Sequence, residues 1–436
     1  MGWFYRFYAE NKGCHGTTSL VIMKLQICAI CKNGMFFIKT EDGDLVMNWE
    51  EKIASTVKTI KPSGIRKFFD LASTMDDVLS LSIGEPDFAA PDSVIQASID
   101  SLKRKETSYT GNAGLMELRQ TISDYFDAHY GVRYDPKTEI MVSVGVSEAL
   151  AMALLALVNP GDEVIIPDPA YVAYPASVQL AGGVPVFVPT YQKDDFKLTV
   201  EALEKVVTPK TKILVIGYPN NPTGTMMTAE ELAPIAEFAK QHDLIVLSDE
   251  IYCELTYGDA KFTTFSKLPD MRDRTIVFNG YSKAFAMTGM RVGYVCAPPA
   301  ALAAMLKLHQ YAIMCANTTA QYAAIYAMKN CDAEVEAMRQ EYDSRRKVIF
   351  QGLKDIGLSV FEPRGAFYIF PNITCTGLSS EDFCNKLLEE EHVAVIPGTA
   401  FGENGEGFVR ISYASSMENI KEALVRMGRF VNKYKK

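Results

Sequence analysis

The sequence predicts an α/β protein built on a mostly parallel central sheet with helices on both faces. Three observations predict it. Short apolar runs alternate with helical patterns through the middle of the chain, as in strand–helix–strand units with right-handed crossovers. Three of those runs, Ile213–Ile216, Leu244–Leu247 and Thr275–Phe278, each lead into a polar cluster. In an open α/β sheet, ligands bind in the crevice at the carboxyl ends of the strands. The length of 436 residues also exceeds one ordinary core and implies two or three domains.

The elements follow in order. Residues 1–46 mix Trp3, Phe4, Tyr5, Cys14 and His15 with no clear period, so they read as an N-terminal extension, mobile or an upstream over-reading with Met47 as the natural start. An amphipathic pattern begins at Met47. Glu139–Val144 reads as a strand, and Ser147 as a plausible cap of the helix after it. Glu163–Ile166 is a strand, Pro169–Leu180 helical and Val184–Val188 a strand. Thr228 caps a helix that runs to about His242, with Glu230 and Glu231 favourably placed in its first turn.

Composition narrows the function. A net charge of −9 and a pI near 5.3 argue against nucleic acid or an anionic membrane as the main partner. Nine scattered cysteines read as reduced thiols of a cytoplasmic protein. Cys28 and Cys31 have the gap of a metal knuckle, but no second such pair follows and no histidines form a ligand pair, so no metal is expected. Leu20–Ile38 is broken by Lys24 and Lys32, too short an apolar run to span a bilayer, and it lacks a small-residue cleavage site.

The chemistry gathers where the strands end. Lys283 leaves the run Thr275–Phe278 in the segment Asn279-Gly280-Tyr281-Ser282-Lys283, with Arg291 eight residues on between Gly289 and Gly293. A lysine carried from a buried strand into a cleft is desolvated, which lowers its pKa and suits a Schiff-base amine. Asp249 and Tyr252 follow Leu244–Leu247, and Tyr218-Pro219-Asn220-Asn221-Pro222-Thr223-Gly224 follows Ile213–Ile216. Gly145-Val146-Ser147 stands at a predicted helix N-terminus, a ready anion site. Together and in this order, these segments resemble class I pyridoxal-phosphate (PLP) aminotransferases of fold type I, from about Ile60 to about Phe430.

The resemblance implies a large PLP-binding domain over 91–325 and a smaller α+β domain built from 47–90 and 326–436. It implies that Lys283 holds PLP as a Schiff base and then moves the proton of the substrate Cα. Asp249 would pair with the pyridine nitrogen and keep it protonated. Asn221 and Tyr252 would donate to the phenolic oxygen. Gly145, Val146 and Ser147, with Arg291, would hold the phosphate. Gly280 stands where many members carry a phosphate-binding serine. Tyr171 would stack on the ring, and Tyr109 would reach the phosphate of a neighbouring subunit in a homodimer. Arg410 and the Gly84 N–H would clamp the substrate carboxylate, alongside Asn221. Ile65 and Tyr311 would give the side-chain pocket an apolar wall. The segment Gly365–Phe370 resembles the family but suggests no chemistry.

The implied reaction moves the amino group of an aromatic or broad range of L-amino acids to a 2-oxo acid such as 2-oxoglutarate. Aspartate, alanine and N-acyl-diaminopimelate transamination are competing readings, as is C–S β-elimination, because a fold does not fix a function. Some transcription regulators fuse this fold to a DNA-binding head. Here the 46-residue extension before Met47 carries no basic stripe, and the full catalytic set argues against a PLP-binding regulatory module.

Overall fold

A computed structural model describes residues 38–39, 45–60, 62, 64, 75 and 77–436 of the protein. Two compact units are present, 1–59 and 60–436. In the first, Ile38–Lys39 pairs antiparallel with Leu45–Val46, and short helices follow at Trp49–Lys52 and Ser55–Thr59. The expectations for Cys28, Cys31 and Ile65 lie outside the described residues.

The second unit is organised by a seven-stranded sheet. Its strands are β1 (Ile140–Ser143), β2 (Glu163–Asp168), β3 (Val184–Pro189), β4 (Thr211–Ile216), β5 (Ile245–Asp249), β6 (Thr275–Gly280) and β7 (Gly293–Cys296), in the spatial order β1-β7-β6-β5-β4-β2-β3. Every neighbouring pair is parallel except those that β7 makes with β6 and β1, so β7 alone runs against the rest. The apolar runs are unbroken because both faces are covered. Side chains alternate along a strand. Ile213 and Val215 therefore pack into one core with Val164 and Ile166, while Leu214 and Ile216 join Ile165 and Val246 in another.

Two expected boundaries need correction. Ser147 is not a cap: the helix runs Gly145–Leu157, and the Glu148 carboxylate accepts from the Val144 N–H at 2.6 Å. That leaves Ser147 in the first turn, free to face the strand ends. The Pro169–Leu180 helix begins only at Ala173, because 169–172 forms the turn that leaves β2. Thr228 caps Ala229–Gln241 as expected, in a reciprocal capping box with Glu231.

A further core joins Leu81, Tyr342, Phe367, Phe383, Ile411 and Phe430. Around it lie the helices Asp332–Asp355, Ser380–Glu391 and Met417–Tyr434 and a three-stranded antiparallel sheet of Tyr368–Ile369, Val409–Ser412 and Ile396–Pro397. Leu79–Ser80 pairs parallel with Val393–Ala394, and the Ser412 N–H donates to Leu81 O at 2.8 Å. These contacts fix Ser82–Glu85 beside Arg410. Gly224, at φ 74°, lets the loop after β4 dock on the same sheet: a Cβ there would meet Tyr368 O at 2.4 Å. Among the described residues, no helix is long and apolar enough to cross a membrane and no cluster of His, Cys, Asp and Glu has a metal-binding arrangement.

Candidate active site

The expected residues converge at the carboxyl end of the sheet. β1 leads into Val146 and Ser147, β2 into Tyr171, β4 into Asn221, β5 ends at Asp249 ahead of Tyr252, and β6 delivers Lys283. β7 runs the other way and therefore starts at this end, two residues after Arg291. All of these, with Gly84 and Arg410, line one cavity of about 920 Å³.

Lys283 Nζ donates to Gly84 O at 2.7 Å. Burial pushes its ammonium down to about 8 from the usual 10.5, and Arg410 and Arg291 push the same way against Glu85 and Asp249. At neutral pH the amine is close to the range in which it can both accept and give a proton. Asp249 lies behind it on β5, with the Tyr174 hydroxyl donating at 2.8 Å and the Ile251 N–H at 3.3 Å. Burial raises the Asp249 carboxyl to about 6, more than these two donors and Lys283 offset. A protonated ring nitrogen at this carboxylate would supply the missing positive charge.

The lysine shift has a consequence for stability. The folded chain disfavours the charged amine, so the cost is fully present below pH 8 and is relieved as pH rises from about 8 towards 10.5. In cofactor-free protein, Lys283→Met should therefore melt higher than wild type at pH 7, and that advantage should shrink above pH 8. A difference in melting temperature that stays constant with pH would refute this assignment.

Small residues shape the end of the cavity expected to take a phosphate. A Cβ on Gly145 would lie 2.7 Å from Arg291 Nη2, and one on Gly293 would lie 2.9 Å from the Gly145 carbonyl carbon. The guanidinium thus rests directly on the N-terminus of the Gly145–Leu157 helix, where the backbone amides and the dipole favour an anion. Gly280 belongs to the same stack: its Cβ would lie 2.9 Å from Gly293 Cα and 3.2 Å from Val292 O. Backbone closes this space, so the structure has no room for a serine there. The loss of that expected contact follows from the close approach of β6 to β7.

The carboxylate end is built on Arg410. It is 2% exposed, with Nη1 donating to Asn221 Oδ1 at 3.1 Å, Nη2 donating to Ser82 O, and Nε without a partner. No carboxylate pairs with it among the described residues, although a buried charge ordinarily requires one. The guanidinium lies over the rings of Tyr368 at 4.6 Å and Phe401 at 4.9 Å. Burial lowers its pKa, and an incoming carboxylate would relieve that strain on the charge.

Two expected residues stand apart. Tyr109 is 78% exposed and does not line the cavity of its own chain, and Tyr311 is 88% exposed and does not line it either. The structure also adds residues that the sequence did not reveal. Tyr174 holds Asp249, and Tyr368 joins its hydroxyl to that of Tyr252 at 2.8 Å. His309 is fully buried and bonds through Nδ1 to Glu148 at 2.6 Å, bracing the start of the Gly145–Leu157 helix. Tyr368 had a usable signal, since it lies in the Gly365–Phe370 segment; Tyr174 had none beyond its residue type.

The residues present fit PLP. They offer an amine, a buried carboxylate short of positive charge, a helix N-terminus with an arginine, and two donors, Asn221 and Tyr252, at strand ends. Comparison with known proteins agrees. A family model described as aminotransferase class I and II matches residues 76–427. The chain is 54% identical over 381 residues to the Bacillus subtilis protein YugH, whose name assigns it to the aminotransferases; the match covers 87% of this chain and 98% of that one. It is 44% identical over 385 residues to an aromatic-amino-acid aminotransferase of Thermococcus litoralis, covering 88% of this chain and 99% of the relative. A crystal structure of an aromatic aminotransferase from Pyrococcus horikoshii OT3 superposes with a TM-score of 0.81 at 46% identity, covering 85% of this chain and 99% of that one.

Proposed function

Since the chain belongs to the class I and II aminotransferases, we propose that it uses PLP held at Lys283 to move the amino group of an aromatic L-amino acid to 2-oxoglutarate. The observation that carries this reading is the buried, acid-free Arg410 facing the same cavity as a lysine whose ammonium is pushed down to about 8. One group takes a carboxylate and the other moves a proton at the adjacent carbon.

When bound, PLP supplies an electron sink for the charge that develops at the substrate Cα. The chain's own residues do the rest. Arg410 and the Gly84 N–H bind and orient the α-carboxylate, and Asn221 steadies the guanidinium through Nη1. With PLP bound, Lys283 Nζ would take the proton from the substrate Cα and give it back later in the transfer. Asp249, its carboxylate fixed by Tyr174, would hold a proton at the ring nitrogen. Tyr252 and Asn221 would donate to the phenolic oxygen, Tyr171 would stack on the ring, and Arg291 with residues 145–147 would hold the phosphate. The walls contributed by Ile83, Val172 and Ile251 are apolar and support an apolar side chain on the donor; Ile65 keeps its proposed place in that wall.

A homodimer completes the reading. Tyr109 is exposed on its own chain, three residues before Asn112, whose side chain donates to Met314 O at 2.8 Å, and Tyr311 and Met314 are exposed as well. A second copy packed there would receive Tyr109 at its phosphate. The division into a domain over 91–325 and one over 47–90 and 326–436 belongs to the same proposal, supported by the seven-stranded sheet falling within 140–296 and the three-stranded one within 368–412. So does a cytoplasmic location, supported by cysteines that are free in the structure, such as buried Cys253, Cys296 and Cys384.

One visible spectrum tests the substrate. Purified protein with PLP should show a yellow band that L-phenylalanine bleaches and 2-oxoglutarate restores. A relative named aspartate aminotransferase, from Pyrococcus abyssi, is 47% identical over 378 residues, so aspartate is the second donor to try. Bleaching by aspartate alone would replace the aromatic reading with that one.

A further inference from the structure

Tyr368 is buried, 1% exposed, on a two-residue strand paired with the strand of Arg410. It touches three parts of the site at once. Its hydroxyl lies 2.8 Å from that of Tyr252, its ring lies 4.6 Å beneath the Arg410 guanidinium, and a Cβ on Gly84 would come within 2.6 Å of its hydroxyl. We propose that Tyr368 is a positioning residue that sets the donor strength of Tyr252 towards the cofactor oxygen and holds the face of Arg410 towards the substrate carboxylate. The inference rests on the PLP reading above.

The argument is one of proton count. Each phenol has a single proton, so only one of the two hydroxyls donates across the 2.8 Å contact. If Tyr252 gives its proton to the phenolic oxygen of PLP, Tyr368 must be the donor to Tyr252. A hydroxyl that accepts a hydrogen bond is polarised and donates more strongly. Tyr252 then stabilises negative charge on the phenolic oxygen better than a lone tyrosine would. The second role is independent of the hydroxyl. Arg410 is held in its plane by Asn221 and Ser82, and the Tyr368 ring restrains it from below.

Two variants separate the roles. Tyr368→Phe keeps the ring and loses the proton; Tyr368→Leu loses both. The readout is the pH midpoint at which the visible absorbance of bound PLP changes, a property that a purely structural residue would leave alone. In Tyr368→Phe the midpoint should rise by about 0.5–1 unit, the size of one ordinary hydrogen bond, with KM for the amino acid within about twofold of wild type. In Tyr368→Leu the midpoint should rise equally, and KM should increase about three- to thirtyfold through the lost cation–π contact. In a Tyr252→Phe background, Tyr368→Phe should no longer move the midpoint. A Tyr368→Phe midpoint equal to that of wild type, or a shift that persists without the Tyr252 hydroxyl, overturns the inference and leaves the PLP reading intact. A wild-type protein that shows no visible band with PLP overturns both.

Discussion

Lys283→Ala protein, reconstituted with PLP, should turn over amino acids at least about 10²–10⁴-fold more slowly than wild type, the usual contribution of a positioned acid–base group. The full loss should be larger, because the same amine is proposed to hold the cofactor. The geometry gives the reason. Lys283 Nζ is 2.7 Å from Gly84 O, within the cavity that Arg410 lines, and burial keeps it near a pKa of 8. No other lysine lines that cavity among the described residues. Single-turnover mixing with L-phenylalanine would follow the cofactor absorbance directly. Adding a small primary amine should restore part of the rate by supplying the missing base. A variant that turned over at a tenth of the wild-type rate would remove Lys283 from the mechanism.

Arg410→Leu should lower kcat/KM for amino acids by about 2–5 kcal/mol in transition-state terms, roughly thirty- to several-thousandfold, as expected when one partner of a buried charged hydrogen bond is removed. Arg410→Lys should recover little, because an ammonium cannot present the planar fork that a carboxylate matches. A discriminating control is an amine of the same shape without the carboxylate. The leucine variant should lose its preference for the amino acid over that amine. If it kept the preference, the clamp would have to be elsewhere in the cavity.

Much of this site was legible in the sequence because its parts are local. Asn221, Asp249 and Lys283 each lie within five residues of the end of an apolar run, and the rule that ligands meet strand carboxyl ends needs no knowledge of which strands are neighbours. Arg291 was legible from its place eight residues after Lys283 and from the resemblance; the structure adds that β7, which runs back from the same end, starts two residues later. The extent of the helix after β1 was less legible. Ser147 is a favourable cap by residue type, but the Glu148 carboxylate takes the Val144 N–H and lets the helix start at Gly145.

What stayed hidden is a set of contacts between distant segments. Tyr174 reaches Asp249 across 75 residues, Tyr252 meets Tyr368 across 116, and His309 meets Glu148 across 161. Gly280 could be read only as a departure from the resembling pattern until its neighbour across the sheet, Gly293, was in place. The sequence by itself determined the alternation of strand and helix, the end of the sheet where the chemistry gathers, and the residues that lie within a few positions of each strand end. These are set by hydrophobic period and backbone hydrogen bonding, which act over a few residues. Only the tertiary structure decided what stands behind those residues: which phenol props Tyr252, which holds Asp249, and why no side chain fits at Gly280. Those partners are chosen by how whole elements pack, and a separation of a hundred residues leaves no local pattern from which to read them.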